Sequence, residues 1–278
     1  MIAALGLCRN LPLGVDAVTR DGRRLAIDVD RGMNEIIYFL GEYERPVTEI
    51  AASLVRPDDV CLDVGANFGW YTTLFAATCG ERGLVHSFEP VPTTYRELGQ
   101  NVSLLQSPEI VTLNNLALGD HEGEVSIDLG DGQASGFASI ANENSTNDSG
   151  IKCRMTTLDA YLADKLLGRE VNIVKVDIEG AELMFLQGAS SLFKQNVPPI
   201  MLVEMALAQT KDFGYTPDAL IKKIDEMADY DHYAVNDTTG SVRKIDGFPP
   251  DDIGANVFSI PKGHYGDRTS ELYKRLNG

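Results

Sequence analysis

Val60-Cys61-Leu62-Asp63-Val64-Gly65-Ala66-Asn67-Phe68-Gly69-Trp70-Tyr71-Thr72 is the stretch that decides the fold. It is entered from a Pro57-Asp58-Asp59 turn and begins with a largely apolar run, the mark of a buried strand. From Gly69 to Thr78 the apolar residues recur at three-to-four spacing, which predicts a helix. Gly65 and Gly69 sit at the strand-to-helix turn, where a glycine lets the backbone approach a ligand. Asn67 is the non-glycine type most tolerant of positive φ.

Working outward, the alternation repeats. Segments 84–88, 110–113, 171–177 and 200–204 read as strands, and 93–105, 181–187 and 217–227 as helices. Strands alternating with helices need crossover connections, so the predicted fold is α/β: a Rossmann-like, doubly wound, mostly parallel sheet. Late strand-like runs at 231–236, 241–245 and 255–260 lack intervening helices and predict an antiparallel edge. Upstream, 33–40 and 47–54 are helix-like. The expected organisation is a cap or lid over 1–56, the main domain over 57–262 and a tail over 263–278. An insertion at 119–157 carries strands near 124–129 and 151–156 around a polar loop at 142–150.

In a doubly wound sheet, ligands bind at the carboxyl ends of strands. Asp63 ends the first strand, where a carboxylate can receive the ammonium of an amino-acid ligand. The same carboxylate would repel a pyrophosphate at the helix N-terminus, which disfavours a dinucleotide such as NAD. Glu89 ends the second strand, where an acid can accept both ribose hydroxyls. An amino acid joined to a nucleoside without phosphates is S-adenosylmethionine, with S-adenosylhomocysteine as its product.

The run 63–72 resembles the first motif of the FkbM-type S-adenosylmethionine-dependent methyltransferases. So do Phe88-Glu89-Pro90, Thr157-Leu158-Asp159-Ala160-Tyr161-Leu162 and Lys175-Val176-Asp177-Ile178-Glu179-Gly180-Ala181-Glu182. Gly41-Glu42-Tyr43-Glu44-Arg45-Pro46 is similar to the family's tyrosine–glutamate segment, although Arg45 stands where proline is common. The resemblance spans about Gly41 to Glu204 and implies O-methylation of a sugar, glycolipid or polyketide-type acceptor. It also implies cofactor contacts from Asp63, Gly65, Ala66, Asn67, Gly69, Trp70, Tyr71, Thr72, Glu89, Pro90, Ala117 and Asp177.

Methyl transfer to a hydroxyl needs a base. Asp177 at a strand end, Glu179 just after it and His121, following the segment expected near the adenine, are the candidates. For Glu182 a role at the helix start is expected, and for His121 a surface turn competes. Tyr43 and Tyr38 are candidate substrate-rim residues, since sugar faces stack on aromatic rings. A magnesium-assisted variant would use Asp177 and Glu204, but no third ligand stands at a fixed spacing, so no metal is expected. A non-catalytic binding module is the other alternative.

The net charge of −17 argues against a nucleic-acid partner, which needs a basic stripe. No run approaches the about 18 apolar residues of a membrane span. The apolar opening, Met1 to Cys8, lacks a leading positive region and is followed by Arg9, so no cleaved signal is expected. Cys8, Cys61, Cys79 and Cys153 form no CxxC pair, which predicts free thiols and a reducing, cytoplasmic setting. The late strands leave an edge through which copies could pair as a homo-oligomer.

Overall fold

A computed structural model describes residues 15–28, 33–128, 139–140, 150–166, 168–249 and 254–276. The apolar opening, Cys8 and most of the polar 142–150 loop lie outside the described residues. In chain order, a hairpin of β1 (Val15–Val18) and β2 (Arg24–Ile27) precedes helices α1 (Met33–Leu40) and α2 (Arg45–Leu54). There follow β3 (Val60–Val64), α3 (Trp70–Cys79), β4 (Leu84–Phe88), α4 (Pro92–Ser103) and β5 (Val111–Asn114). The insertion contributes β6 (Ala117–Leu118), β7 (Gly123–Asp128), β8 (Ser139–Ile140) and β9 (Ile151–Thr156). Then come α5 (Leu158–Lys165), β10 (Ile173–Val176), α6 (Glu182–Gln187), β11 (Ile200–Ala206), α7 (Leu207–Asp212) and α8 (Pro217–Met227). Strands β12 (Tyr230–Val235), β13 (Val242–Ile245) and β14 (Gly254–Pro261) and helix α9 (Ser270–Leu276) end the described chain.

The main sheet runs β13-β12-β14-β11-β10-β3-β4-β5. The run from β11 to β5 is parallel, whereas β14, β12 and β13 add in antiparallel fashion, the edge that the helix-free late strands predicted. A second sheet, β6-β9-β7-β8, is built by the insertion. Sheet periodicity divides β3 between two cores. Cys61 packs with α2, α3 and the N-terminal hairpin, while Val60, Leu62 and Val64 pack with α5, α6 and α8. Helix α3 lies between the sheet and that cap, so residues 70–76 are all buried and only its last turn, at Ala77 and Thr78, reaches solvent. Phe75, Phe88, Phe185 and Phe258 are among the largest fully buried side chains. Each such burial is worth about 1.5–3 kcal/mol.

The cap is tied to α3 by polar contacts as well as by apolar ones. Buried Arg23 donates from Nη1 to the Trp70 carbonyl and to Thr73 Oγ1, both at 2.7 Å, and its guanidinium lies 4.5 Å over the Trp70 ring. Trp70 Nε1 donates to Thr48 Oγ1 at 3.0 Å. Helix α5, which periodicity did not reveal, starts on Thr157, whose Oγ1 accepts the Ala160 amide. Helix α9 buries Leu272 and reaches Glu49 of α2 through Arg275 at 2.5 Å. Cys61, Cys79 and Cys153 are free and buried, as expected. Among the described residues no helix is long and apolar enough to cross a membrane.

Candidate functional site

The chain runs from β3 outward to β4 and β5, then resumes at β10 on the other side of β3. Ligand crevices open at such a reversal of strand order. Here a cavity of about 440 Å³ is lined by the residues that end β3, β4 and β10 and by Glu204 of β11. That volume lies within the roughly 300–1,000 Å³ of small-ligand sites.

The glycine loop forms its floor. Gly65 has φ 80°, and a side chain there would run into the Asp177 carbonyl oxygen. The glycine is therefore demanded by the close approach of the β10 end, and not by a ligand alone. The Gly65 and Ala66 amides both donate to the Phe88 carbonyl, at 3.1 and 2.9 Å. Asn67 adopts φ 50°, and its amide donates to Glu89 Oε2 at 2.9 Å. Glu89 Oε1 accepts the Val91 amide at 2.9 Å, so two backbone donors fix the carboxylate at the cavity wall. Burial pushes Glu89 up to about 7 although both amides favour its charged form. Asn115 Nδ2 clasps the turn behind it through the Glu89 and Pro90 carbonyls, both at 2.8 Å.

Of the expected cofactor residues, Gly65, Ala66, Asn67, Trp70, Tyr71, Glu89, Pro90, Ala117 and Asp177 line this cavity. Asp63, Gly69 and Thr72 are not among its lining residues and stand directly behind it. Asp63 points from β3 toward α3, is fully buried, and takes the Thr72 hydroxyl on Oδ2 at 2.6 Å. Thr72 Oγ1 also lies 2.8 Å from Ser87 Oγ. Gly69 caps α3 at φ 100°, where a Cβ would sit 2.7 Å from Leu98 Cδ1. His121 is exposed in the turn before β7, 2.7 Å from Asp120, and is not among the lining residues. Tyr38 packs on the core edge of α1 and beside Phe39, whereas Tyr43 lines the cavity and meets Trp70 edge-on.

Three acids gather at the far end. Asp177, Glu179 and Glu204 each bring a carboxylate oxygen within 4.8 Å of the others. Glu179 is thus the third carboxylate that spacing did not reveal, because the turn after β10 holds it at φ 53°, a conformation costing about 1–3 kcal/mol outside glycine. Gln209 of α7 donates to Glu179 Oε2 at 3.1 Å. Burial, then Asp177, pushes Glu179 up to about 7; Asp177 first, then burial, pushes Glu204 up to about 11. Burial raises Asp177 too, but the Lys175 ammonium together with the neighbouring Glu204 carboxyl outweighs it and holds Asp177 below the usual carboxylate range. Glu182 instead turns back to the Ile178 and Gly180 amides, at 3.0 and 3.2 Å, the helix-start role expected for it.

Sequence reasoning missed Lys175, Glu44 and Gln209. Glu44 takes the Tyr71 hydroxyl at 2.8 Å, and burial, then Asp177, pushes it up to about 7. Leu116, Leu118 and Ile127 add an apolar wall beside Ala117. The signal available for Lys175 was a cation inside an apolar strand, which needs a buried anion nearby.

The sequence matches the family described as the methyltransferase FkbM domain over residues 63–235. A curated relative, the hexuronic acid methyltransferase AglP of Haloferax volcanii, is 30% identical over 152 residues. That match covers 53% of this chain and 57% of the relative, so the chain spans little more than half of that protein. Among solved structures, a methyltransferase FkbM from Methylobacillus flagellatus is similar at 14% identity and TM-score 0.47, over 75% of this chain and 47% of that one. An S-adenosylmethionine-dependent O-methyltransferase from Thermotoga maritima is similar at 11% identity and TM-score 0.41, over 92% and 96%. By the sequence match across its central strands and cavity, the chain belongs to the FkbM methyltransferase domain family.

Proposed function

We propose that the chain transfers a methyl group from S-adenosylmethionine to a hydroxyl of a sugar-type acceptor. The observation that carries this reading is Glu89, a carboxylate fixed at the cavity wall by the Asn67 and Val91 amides. Each of its oxygens keeps a lone pair for one ribose hydroxyl. The donor set fits the rest of the cofactor. The apolar wall of Leu116, Ala117, Leu118 and Ile127 suits an adenine, and among the described residues the cleft offers no cluster of cations for a pyrophosphate. With Asp63 buried behind α3, the ammonium of the amino-acid end falls to the acids that do line the cleft. The sugar acceptor is supported by the relative AglP, whose name gives a hexuronic acid as its substrate.

When bound, the cofactor supplies an electrophilic methyl group on sulfonium sulfur. The residues of this chain hold the acceptor oxygen in line and take its proton. Orientation alone can supply roughly 7–11 kcal/mol. Asp177, charged and held by Lys175, accepts a hydrogen bond from the acceptor and fixes its direction. Glu179 is the better base, because about 7 lies near neutral pH whereas Asp177 is held too acidic. Tyr43, edge-on to Trp70, supplies an aromatic wall for the sugar face. A labelled-methyl transfer screen across glycosides, polyketides and lipids tests the reading. Transfer to a glycoside hydroxyl is expected; transfer to no acceptor, by protein that binds S-adenosylhomocysteine, would leave a binding module instead.

A further inference from the structure

Lys175 has no partner role in the methyl-transfer scheme beyond its contact with Asp177, yet its placement is costly. It lies on β10 between Asp63 of β3 and Leu202 of β11, and is 5% exposed. Taking an ammonium out of water costs several kcal/mol unless it is paired and hydrogen-bonded. The pairing is directed: Nζ lies 2.9 Å from Asp177 Oδ2, 3.5 Å from the Gly65 carbonyl oxygen and 5.0 Å from the centre of the Tyr71 ring. Asp63, with Oδ1 lacking a hydrogen-bond partner, stands beside the same lysine on the neighbouring strand. Asp63 is fully buried, and its carboxyl and the Lys175 ammonium each favour the other's charged form.

On its other side Asp177 meets Glu204, a carboxylate oxygen of each lying within 4.8 Å of the other. Carboxylates this close do not both ionise, so one proton belongs to the pair. The nearest cation decides which acid keeps the charge. Lys175 makes its ion pair with Asp177, and among the described residues none is formed with Glu204. The other titratable groups that face Asp177 carry no positive charge. They are Glu179 after β10, Tyr43 and Glu44 ahead of α2, Tyr71 of α3 and the buried Asp63 of β3.

We infer that Lys175 is a positioning residue whose ammonium keeps the Asp177 carboxylate charged at the cleft and leaves Glu204 to carry the proton the two acids share. The cleft then presents an acceptor and a donor side by side, Asp177 to receive a substrate hydroxyl and Glu204 to give a hydrogen bond. The inference rests on the methyl-transfer reading only for its effect on turnover. The charge pattern itself belongs to the cofactor-free protein.

Carbon-detected NMR titration of the Asp and Glu carboxyl groups in cofactor-free protein tests it, in wild type, Lys175→Met, Lys175→Arg and Glu204→Gln. In Lys175→Met the Asp177 titration is expected to move up by about one pH unit or more, a tenfold change in proton affinity, and Lys175→Arg should largely restore it. An Asp177 titration left in place in folded Lys175→Met would overturn the inference. If that variant does not fold, Glu204→Gln decides: Asp177 should stay below the ordinary carboxylate range with Lys175 alone beside it. A rise to that range would overturn the inference. Failure of wild type to bind S-adenosylhomocysteine would sink the proposed function instead, leaving the titration result intact.

Discussion

Replacing Glu89 by glutamine separates cofactor binding from fold stability. The wild-type carboxylate is 6% exposed and accepts two backbone amides, each at 2.9 Å. Glutamine keeps one acceptor oxygen but turns an NH₂ against either the Asn67 or the Val91 amide. A buried amide left unpaired costs about 1–3 kcal/mol. Part of that loss is offset, because the wild-type group carries a burden of its own. Burial raises it from an ordinary 4.5 to about 7, so the fold binds its proton more tightly than the unfolded chain does. A raised carboxyl pKa means stability falls as pH climbs from 4.5 to 7, by about 3 kcal/mol in all. Glutamine escapes this penalty. The stability difference should therefore shift toward the variant between pH 5 and 8, by up to about 3 kcal/mol in urea melts. Ligand affinity should behave differently. Losing the charge and one acceptor for the ribose hydroxyls should cost about 2–4 kcal/mol, or roughly 30–1,000-fold in the Kd for S-adenosylhomocysteine by calorimetry. A Kd within about threefold of wild type, in folded Glu89→Gln, would refute the ribose assignment.

Other expectations concern the acid end of the cleft. With cofactor saturating, methyl transfer should rise with pH through about 7 as Glu179 loses its proton; Glu179→Gln should remove that limb and lower kcat by about 10²–10⁴-fold. A pH–rate profile unaltered by the substitution would take the base role from Glu179. Transfer should persist after dialysis against a chelator, because Lys175 already supplies the cation beside Asp177; loss of activity restored by magnesium would favour a metal on the three carboxylates. Among the described residues Lys175 is the one Lys or Arg lining the cavity, and its charge is taken up by Asp177. Neutral glycosides should therefore be methylated at least about tenfold more efficiently, by kcat/KM, than the matching uronides. The reverse order would tie the acceptor charge to that of AglP.

The strand-and-helix order was legible because each central strand is an apolar run closed by turn residues, and 217–227 carries a full amphipathic period. Glu89 was legible because it follows β4 directly, where chain direction alone brings an acid to the cleft. The same pattern places Asp63: along β3 it shares the face of Cys61, toward α3. His121 lies close to Ala117 in the chain, and the β6–β7 turn carries it out to solvent, a placement that no period in the sequence marks. Glu179 and Gln209 join across a left-handed turn and a short helix, neither of which leaves a periodic trace. The Tyr71–Glu44 bond links residues 27 positions apart, a pairing that only the docking of the cap on α3 creates.

The most direct test of a methyl-donor pocket built on Glu89 is a crystal structure with S-adenosylhomocysteine bound. The account expects both ribose hydroxyls on the Glu89 carboxylate, the adenine against Leu116, Ala117 and Leu118, and the sulfur facing Asp177 and Glu179. A ligand bound elsewhere, or a ribose with no contact to Glu89, would contradict it.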